Sequence, residues 1–385
     1  MDFALNDDQR AWRERARRFA STSLGRDLAE RDRRGALDVE DWRQGWQECA
    51  AFGLLGLCVP QAYGGLGLDI VTTVMVLEAI GEGCADNGLT LAVNGQIWAV
   101  QEPIMSFGSE AQKARYLPEL ASGRLIGAHG MTEAETGSDA FSLQTSATRA
   151  DGGYVLNGCK TYVGLAPACG LAVIFATTRP DRGRWGLSAF LVEADRPGFG
   201  QAHDQQKLGL RTVPMGEIHL CDCWVPEDNR LGPEGAGASI FQNTMVWERS
   251  FIFASHVGAM RRQLDDCVTY AKRRQVFGRS IDQFQSVSNR LAEMKLRLET
   301  SRLLLYQAAW LLDRGEDATM AAALAKLHIS ESFAASSLDA LRIHGGKGYL
   351  AGHSAERDLR DALGGVIYSG TSDIQREVIA RLLAQ

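Results

Sequence analysis

The sequence predicts an α+β protein in three successive parts. A helical N-terminal domain spans 1–124, a β-domain 125–235 and a C-terminal four-helix bundle 236–385. Three observations carry this. Amphipathic segments with helix caps fill the first third of the chain. Short β-prone runs divided by turn residues fill the middle. Long segments of helical period fill the remainder.

In the first part, Asn6 and Gln9 form a capping box opening a helix through Trp12, Ala16 and Phe19. Asp38 begins a second helix that stops near Gly53. A buried helix is expected over Asp69–Ile80, and Ser109 with Gln112 caps another. Glycines in the 62–68 stretch, AYGGLGL, interrupt the helices. The strand candidates of the middle part are Tyr154–Leu156, Leu171–Thr177, Leu187–Val192 and Glu217–Leu220. Asp151-Gly152-Gly153 and Asp195-Arg196-Pro197-Gly198 supply turns, and turn residues over Pro226–Gly237 close the domain. Phe284–Leu312 and Thr319–Ile343 then have the length and apolar spacing of bundle helices. A final helix starts near Thr371 with Ile374, Val378 and Leu382 on one face.

Composition narrows the function classes. Among 385 residues, 45% are hydrophobic and 23% charged, ordinary for a folded soluble protein. A net charge of -6 gives no bias toward nucleic acid or anionic membranes. No apolar run approaches a membrane span or a signal sequence, and a cytoplasmic location is expected. The eight cysteines are scattered, with Cys221 and Cys223 the one close pair. No spacing matches a zinc motif, so no metal is expected.

One residue stands out on physical grounds. Phe241, Met245, Glu248 and Ile252 fall at steps of four, three and four, one face of a helix. A carboxylate in an apolar stripe costs free energy, and desolvation lifts its pKa toward that of a useful base.

The ordered motifs are Met131-Thr132-Glu133-Ala134-Glu135-Thr136-Gly137-Ser138-Asp139, Asn157-Gly158-Cys159-Lys160-Thr161-Tyr162-Val163, Arg274-Gln275-Val276-Phe277-Gly278-Arg279, His344-Gly345-Gly346-Lys347-Gly348 and Tyr368-Ser369-Gly370-Thr371. Together they resemble the acyl-CoA dehydrogenase family over essentially the whole chain. The resemblance implies FAD, an acyl thioester on CoA or on a carrier protein, and an electron acceptor such as an electron-transfer flavoprotein or O2. It places His129, Met131 and Thr132 at the flavin, with Thr132 bonding the pyrimidine edge. Gly137 and Ser138 fall in the flavin and thioester loop, and Tyr162 where the family commonly packs a Trp. Arg274, Phe277 and Gln285 match residues reaching the FAD of a neighbouring subunit, which implies a dimer or tetramer. Gly345 and Gly346 match the approach to the adenosine half, and Thr371 opens a helix suited to phosphate.

Departures from the pattern are also legible. Gly164 replaces a common hydroxyl residue near flavin N5. Arg342 and Asp373 each replace a Gln of the cofactor set, and Val213-Pro214 replaces a polar pair. Many relatives carry a catalytic Glu where this chain has Ser369, whose hydroxyl cannot act as a base at neutral pH. The Trp-Glu-Arg-Ser pattern resembles the isovaleryl-CoA and long-chain branch, which assigns the base to Glu248. Ser369 is then expected to supply a backbone N–H to the developing oxyanion. Ser138, Asn94, Gln96, Arg249 and Ser369 are the expected substrate contacts, Asn94 and Gln96 favouring a short or polar acyl group. A flavin monooxygenase or oxidase on the same fold, or a non-catalytic FAD-binding subunit, are the alternative readings.

Overall fold

The computed structural model describes residues 4–35, 39–202 and 205–384. The N-terminal helices are α1 (Asp7–Ser23), α2 (Leu28–Arg34), α3 (Val39–Phe52), α4 (Ile70–Gly83), α5 (Asn87–Gly95), α6 (Glu102–Phe107) and α7 (Glu110–Ala121). The expected caps are in place. Asn6 and Gln9 bond each other's backbone ahead of α1, and Ser109 and Gln112 do so ahead of α7. Asp69 accepts from Thr72 N at the start of α4. The cap expected at Asp38 lies outside the described residues. A π-helical segment, Gln96–Gln101, joins α5 to α6.

The central sheet has eight strands: β1 (Gly127–Gly130), β2 (Ser146–Ala150), β3 (Gly153–Gly164), β4 (Leu171–Thr177), β5 (Leu187–Glu193), β6 (Phe199–Gln201), β7 (Met215–Pro226) and β8 (Arg230–Leu231). The order is β6-β7-β3-β2-β4-β5-β8, with β1 parallel to β4. All four sequence candidates are strands. β4 and β5 are buried along nearly their whole length, which explains their unbroken apolar runs. The β3–β7 register shifts between Lys160 and Val163, and that irregularity turns Tyr162 outward with a φ of 55°.

The C-terminal helices are α8 (Gly237–Phe251), α9 (Ala254–Arg273), α10 (Gln285–Asp313), α11 (Thr319–His344), α12 (Ser354–Gly364) and α13 (Ser372–Leu383). A short hairpin, β9 (Gln275–Val276) with β10 (Arg279–Ser280), precedes α10. Among the described residues, no helix is long and apolar enough to cross a membrane.

The two helical parts pack directly on each other. At Gly81 of α4 an added Cβ would sit 1.7 Å from Ser255 O, and at Gly258 of α9 1.9 Å from Glu78 O. Glycine at both positions lets the backbones touch. Glu78 is buried beside this crossing and takes Arg302 Nε at 2.7 Å and the Tyr306 hydroxyl at 2.9 Å, tying α4 to α10. One apolar cluster therefore runs from Ala16 through Trp98 and Phe251 to Ala362, across both helical parts.

Candidate active site

Segments from all three parts converge on a cleft of about 550 Å³. The β-domain contributes His129, the 132–138 loop and the outward end of β3. The helical parts contribute α5, the π segment, α8 and the 367–371 loop. The 132–138 loop is fixed from below. Glu133 N and Thr136 N each bond the other residue's carbonyl at 3.2 Å, and Thr161 N bonds Thr132 O at 2.9 Å. Glu133 itself is buried against Lys160, with Oε1 2.7 Å from Nζ.

Glu248 lies in the last turn of α8 and faces the cleft. The helix dipole is unfavourable to a negative charge there. Burial raises its pKa above the ordinary glutamate value, against a smaller opposing pull from the Ser369 hydroxyl and the Arg249 guanidinium. The Ser369 Oγ donates to Glu248 Oε1 at 2.5 Å. Ser369 has a left-handed backbone (φ 57°), and its carbonyl accepts from Arg249 Nε and Gln375 Nε2, both at 3.4 Å. Thr371 caps α13 through Ile374 N. Behind the cleft, Trp98 packs on Phe251 and Trp247, at centroid distances of 4.7 and 6.0 Å, filling the space between the π segment and α8.

The residues fit an FAD isoalloxazine. At Gly137 and Gly164 an added Cβ would meet nothing within 4 Å, so the wall there is bare backbone beside open room. Tyr162 lines the cleft and is 63% exposed. His129 is held neutral, its pKa lowered to about 4 by burial and by Lys160, and its Nε2 is buried without a partner. Such an orphaned polar atom awaits a ligand or water.

Of the residues singled out from sequence, the structure brings Glu248, His129, Thr132, Gly137, Ser138, Tyr162, Gly164, Ser369, Thr371 and Val213 together. Met131 is buried at the foot of the same loop, in the apolar cluster shared by the N-terminal helices and the sheet, and Arg249 buttresses Ser369.

Two expected substrate contacts are corrected. Asn94 is fully buried and bonds Thr90 O at 2.7 Å and Ser255 Oγ at 2.8 Å. Gln96, equally buried, donates to Leu120 O and Leu125 O and accepts from Gly127 N at 2.7 Å. Their amides tie helices and the first strand together and do not line the cleft. A sequence cannot separate a buried, bonded amide from one facing a ligand.

Arg274, Phe277, Gln285, Arg342, Gly345, Gly346 and Asp373 are exposed and also lie outside the cleft lining. The sequence reading missed Leu91, Ala92, Gly95 and Ala99, which line the same cleft from α5 and the π segment. Small residues one helical turn apart were the available signal. It also missed the hydroxyl–carboxylate contact between Ser369 and Glu248, having assigned Ser369 a backbone role.

A cleft walled in part by bare backbone and holding a carboxylate with a raised pKa suits a flavin-dependent dehydrogenase. Comparisons with known proteins agree. Family models for the acyl-CoA dehydrogenase N-terminal, middle and C-terminal domains match residues 6–124, 128–223 and 235–384. The chain belongs to the acyl-CoA dehydrogenase family, FAD enzymes that dehydrogenate acyl thioesters. It is 45% identical to an L-prolyl-peptidyl-carrier-protein dehydrogenase of Pseudomonas fluorescens, over 88% of this chain and 89% of the relative. The crystal structure of the prolyl acyl carrier protein oxidase AnaB superposes with a TM-score of 0.97 at 44% identity, covering 99% of this chain and 100% of that one. Butyryl-CoA dehydrogenase of Megasphaera elsdenii superposes at 0.95 with 34% identity, over the whole of both chains.

Proposed function

We propose that the protein dehydrogenates a prolyl thioester carried on a carrier protein, with Glu248 as the base. The observation that carries the base assignment is the Glu248 carboxylate facing the cleft, its pKa raised by burial and one oxygen held by Ser369. Bound FAD supplies the hydride acceptor at N5. Glu248 takes the α-proton, and the hydride leaves from the adjacent carbon. The Ser369 hydroxyl holds the carboxylate in one orientation before substrate enters. The backbone N–H at the same residue is the proposed donor to the enolate oxygen. Val213 with Leu91 and Ala92 lends the cleft a small apolar surface. The similarity to prolyl-carrier-protein enzymes at 40–45% identity supports the acyl assignment.

His129, Met131, Thr132, Gly137, Ser138, Tyr162 and Gly164 are the proposed isoalloxazine contacts. Arg274, Phe277 and Gln285 are proposed to complete the site of a second copy. Phe277 supports this, sitting 96% exposed at the tip of the β9–β10 hairpin. Arg342, Gly345, Gly346 and Asp373 belong to the same proposed cofactor set, reached from outside the cleft. A cytoplasmic location is in keeping with eight free cysteines.

Anaerobic flavin bleaching tests the proposal. Prolyl-carrier protein should reduce the flavin fastest, a short acyl-CoA more slowly and palmitoyl-CoA hardly at all. Equal rates with palmitoyl-CoA would overturn the acyl assignment. Turnover in air without added acceptor separates O2 from an electron-transfer flavoprotein as oxidant.

A further inference from the structure

Outside the cleft, strands β3 and β7 bring together three side chains that sequence spacing keeps far apart. Cys159 and His219 are directly opposed in the antiparallel register, and Glu217 is the next residue of β7 on the same face. Glu217 Oε2 lies 3.1 Å from His219 Nε2 and 4.0 Å from Cys159 Sγ, and all three ligand atoms fall within 4.8 Å of one another. Three such atoms around a tetrahedral zinc ion would lie roughly 3.3–3.8 Å apart, given bonds of about 2.0–2.3 Å. The observed spacing brackets that range, so small rotations would close the site.

The carboxylate is also oriented from behind. Its other oxygen, Oε1, accepts from the Thr161 hydroxyl at 3.3 Å, and Thr161 Oγ1 in turn accepts from Gln205 Nε2 at 3.2 Å. This is the outer-shell arrangement that aims a ligating carboxylate. Opposite His219 on the neighbouring strand stands Gly200, where even an added Cβ would come no nearer than 3.6 Å to the His219 side chain. The imidazole therefore has room. All three side chains are half-buried, partly screened from water yet reachable by an ion.

We propose that Cys159, Glu217 and His219 form a binding site for a zinc-class divalent cation, with water in the fourth position. A thiolate, an imidazole and a carboxylate together suit zinc better than magnesium or calcium, which prefer all-oxygen shells. The ion would clamp β3 to β7 three residues before Tyr162, on the strand that carries the cleft's exposed ring. A same-face ion pair between Glu217 and His219 would explain two of the three residues, but not the thiol brought to the same carboxylate oxygen.

The test is equilibrium dialysis of the FAD-loaded protein against zinc alone, with metal counted by mass spectrometry. One zinc per chain is expected at micromolar free zinc. Thr161→Val should weaken binding about 10- to 100-fold, and Cys159→Ser or His219→Ala more than that, all with unchanged FAD content. Cobalt(II) should give ligand-field bands to the red of the flavin spectrum, lost in Cys159→Ser. Substoichiometric zinc in the wild type, or binding that survives both Cys159→Ser and His219→Ala, would overturn the proposal.

Discussion

Two glutamates close to the cleft are treated in opposite ways. Glu133 belongs to the 132–138 loop and has both side-chain oxygens engaged. Gln144 N reaches Oε2 at 2.7 Å, while Thr145 N, the Thr145 hydroxyl and Lys160 Nζ all reach Oε1. Burial pushes its pKa up, but Lys160 and these donors outweigh that, and it ends below the ordinary value. Burial also draws Lys160 down to about 8, which leaves it protonated at neutral pH beside its partner. Glu248, by contrast, has one hydroxyl donor and no bonded cation, and burial wins. A carboxylate that holds a loop is saturated with donors. One that must accept a proton is left short of them.

This contrast can be broken at either residue. Glu248→Gln should have the largest effect. The amide nearly matches the carboxylate in size, so FAD content and melting should hardly change. Flavin reduction by substrate should fall by about 100- to 10,000-fold, the usual contribution of a general base. Glu133→Gln should do the reverse. It leaves Lys160 buried without its counter-charge and should cost about 3–5 kcal/mol in chemical unfolding. The stability that Glu133 contributes is present at neutral pH and disappears as pH falls through its lowered pKa.

A third buried carboxylate sharpens the comparison. Glu102 accepts from the Ser106 hydroxyl and the Asn243 amide on one oxygen, and its other oxygen has no partner. Burial raises its pKa to about 7 despite those two bonds. The folded state therefore binds this proton more tightly than the unfolded chain. Its stabilising contribution is complete below the unfolded pKa and is lost as pH rises through about 7. Glu102→Gln should stabilise the protein by on the order of 2–3 kcal/mol at pH values above that, and by little in mild acid. Urea unfolding on both sides of neutrality checks this.

The smallest effect is expected at Ser369. Ser369→Ala removes the hydrogen bond that favours ionised Glu248, so the pKa governing flavin reduction should move further up. Alanine keeps the backbone N–H, and the plateau rate at high pH should change little.

Much of this was legible in the sequence because it is local. The boxes at Asn6/Gln9 and Ser109/Gln112, the unbroken apolar runs of β4 and β5, and the apolar stripe that singles out Glu248 are each encoded within a few residues. The π segment over Gln96–Gln101 was not, and its Trp98 packs against Phe251 from a distant helix. Asn94 and Gln96 misled for the same reason. Their partners, Ser255 and Gly127, are remote in sequence. The Glu133–Lys160 pair likewise joins a loop to β3 across 27 residues, and no spacing announces it.

The central claim is that Glu248 is the base, and the pH dependence of anaerobic flavin reduction tests it most directly. In the wild type the rate should rise with pH through an ionisation above the ordinary glutamate range, and that ionisation should vanish, with the rate, in Glu248→Gln. A Glu248→Gln protein that reduces at close to the wild-type rate with the same ionisation would place the base elsewhere.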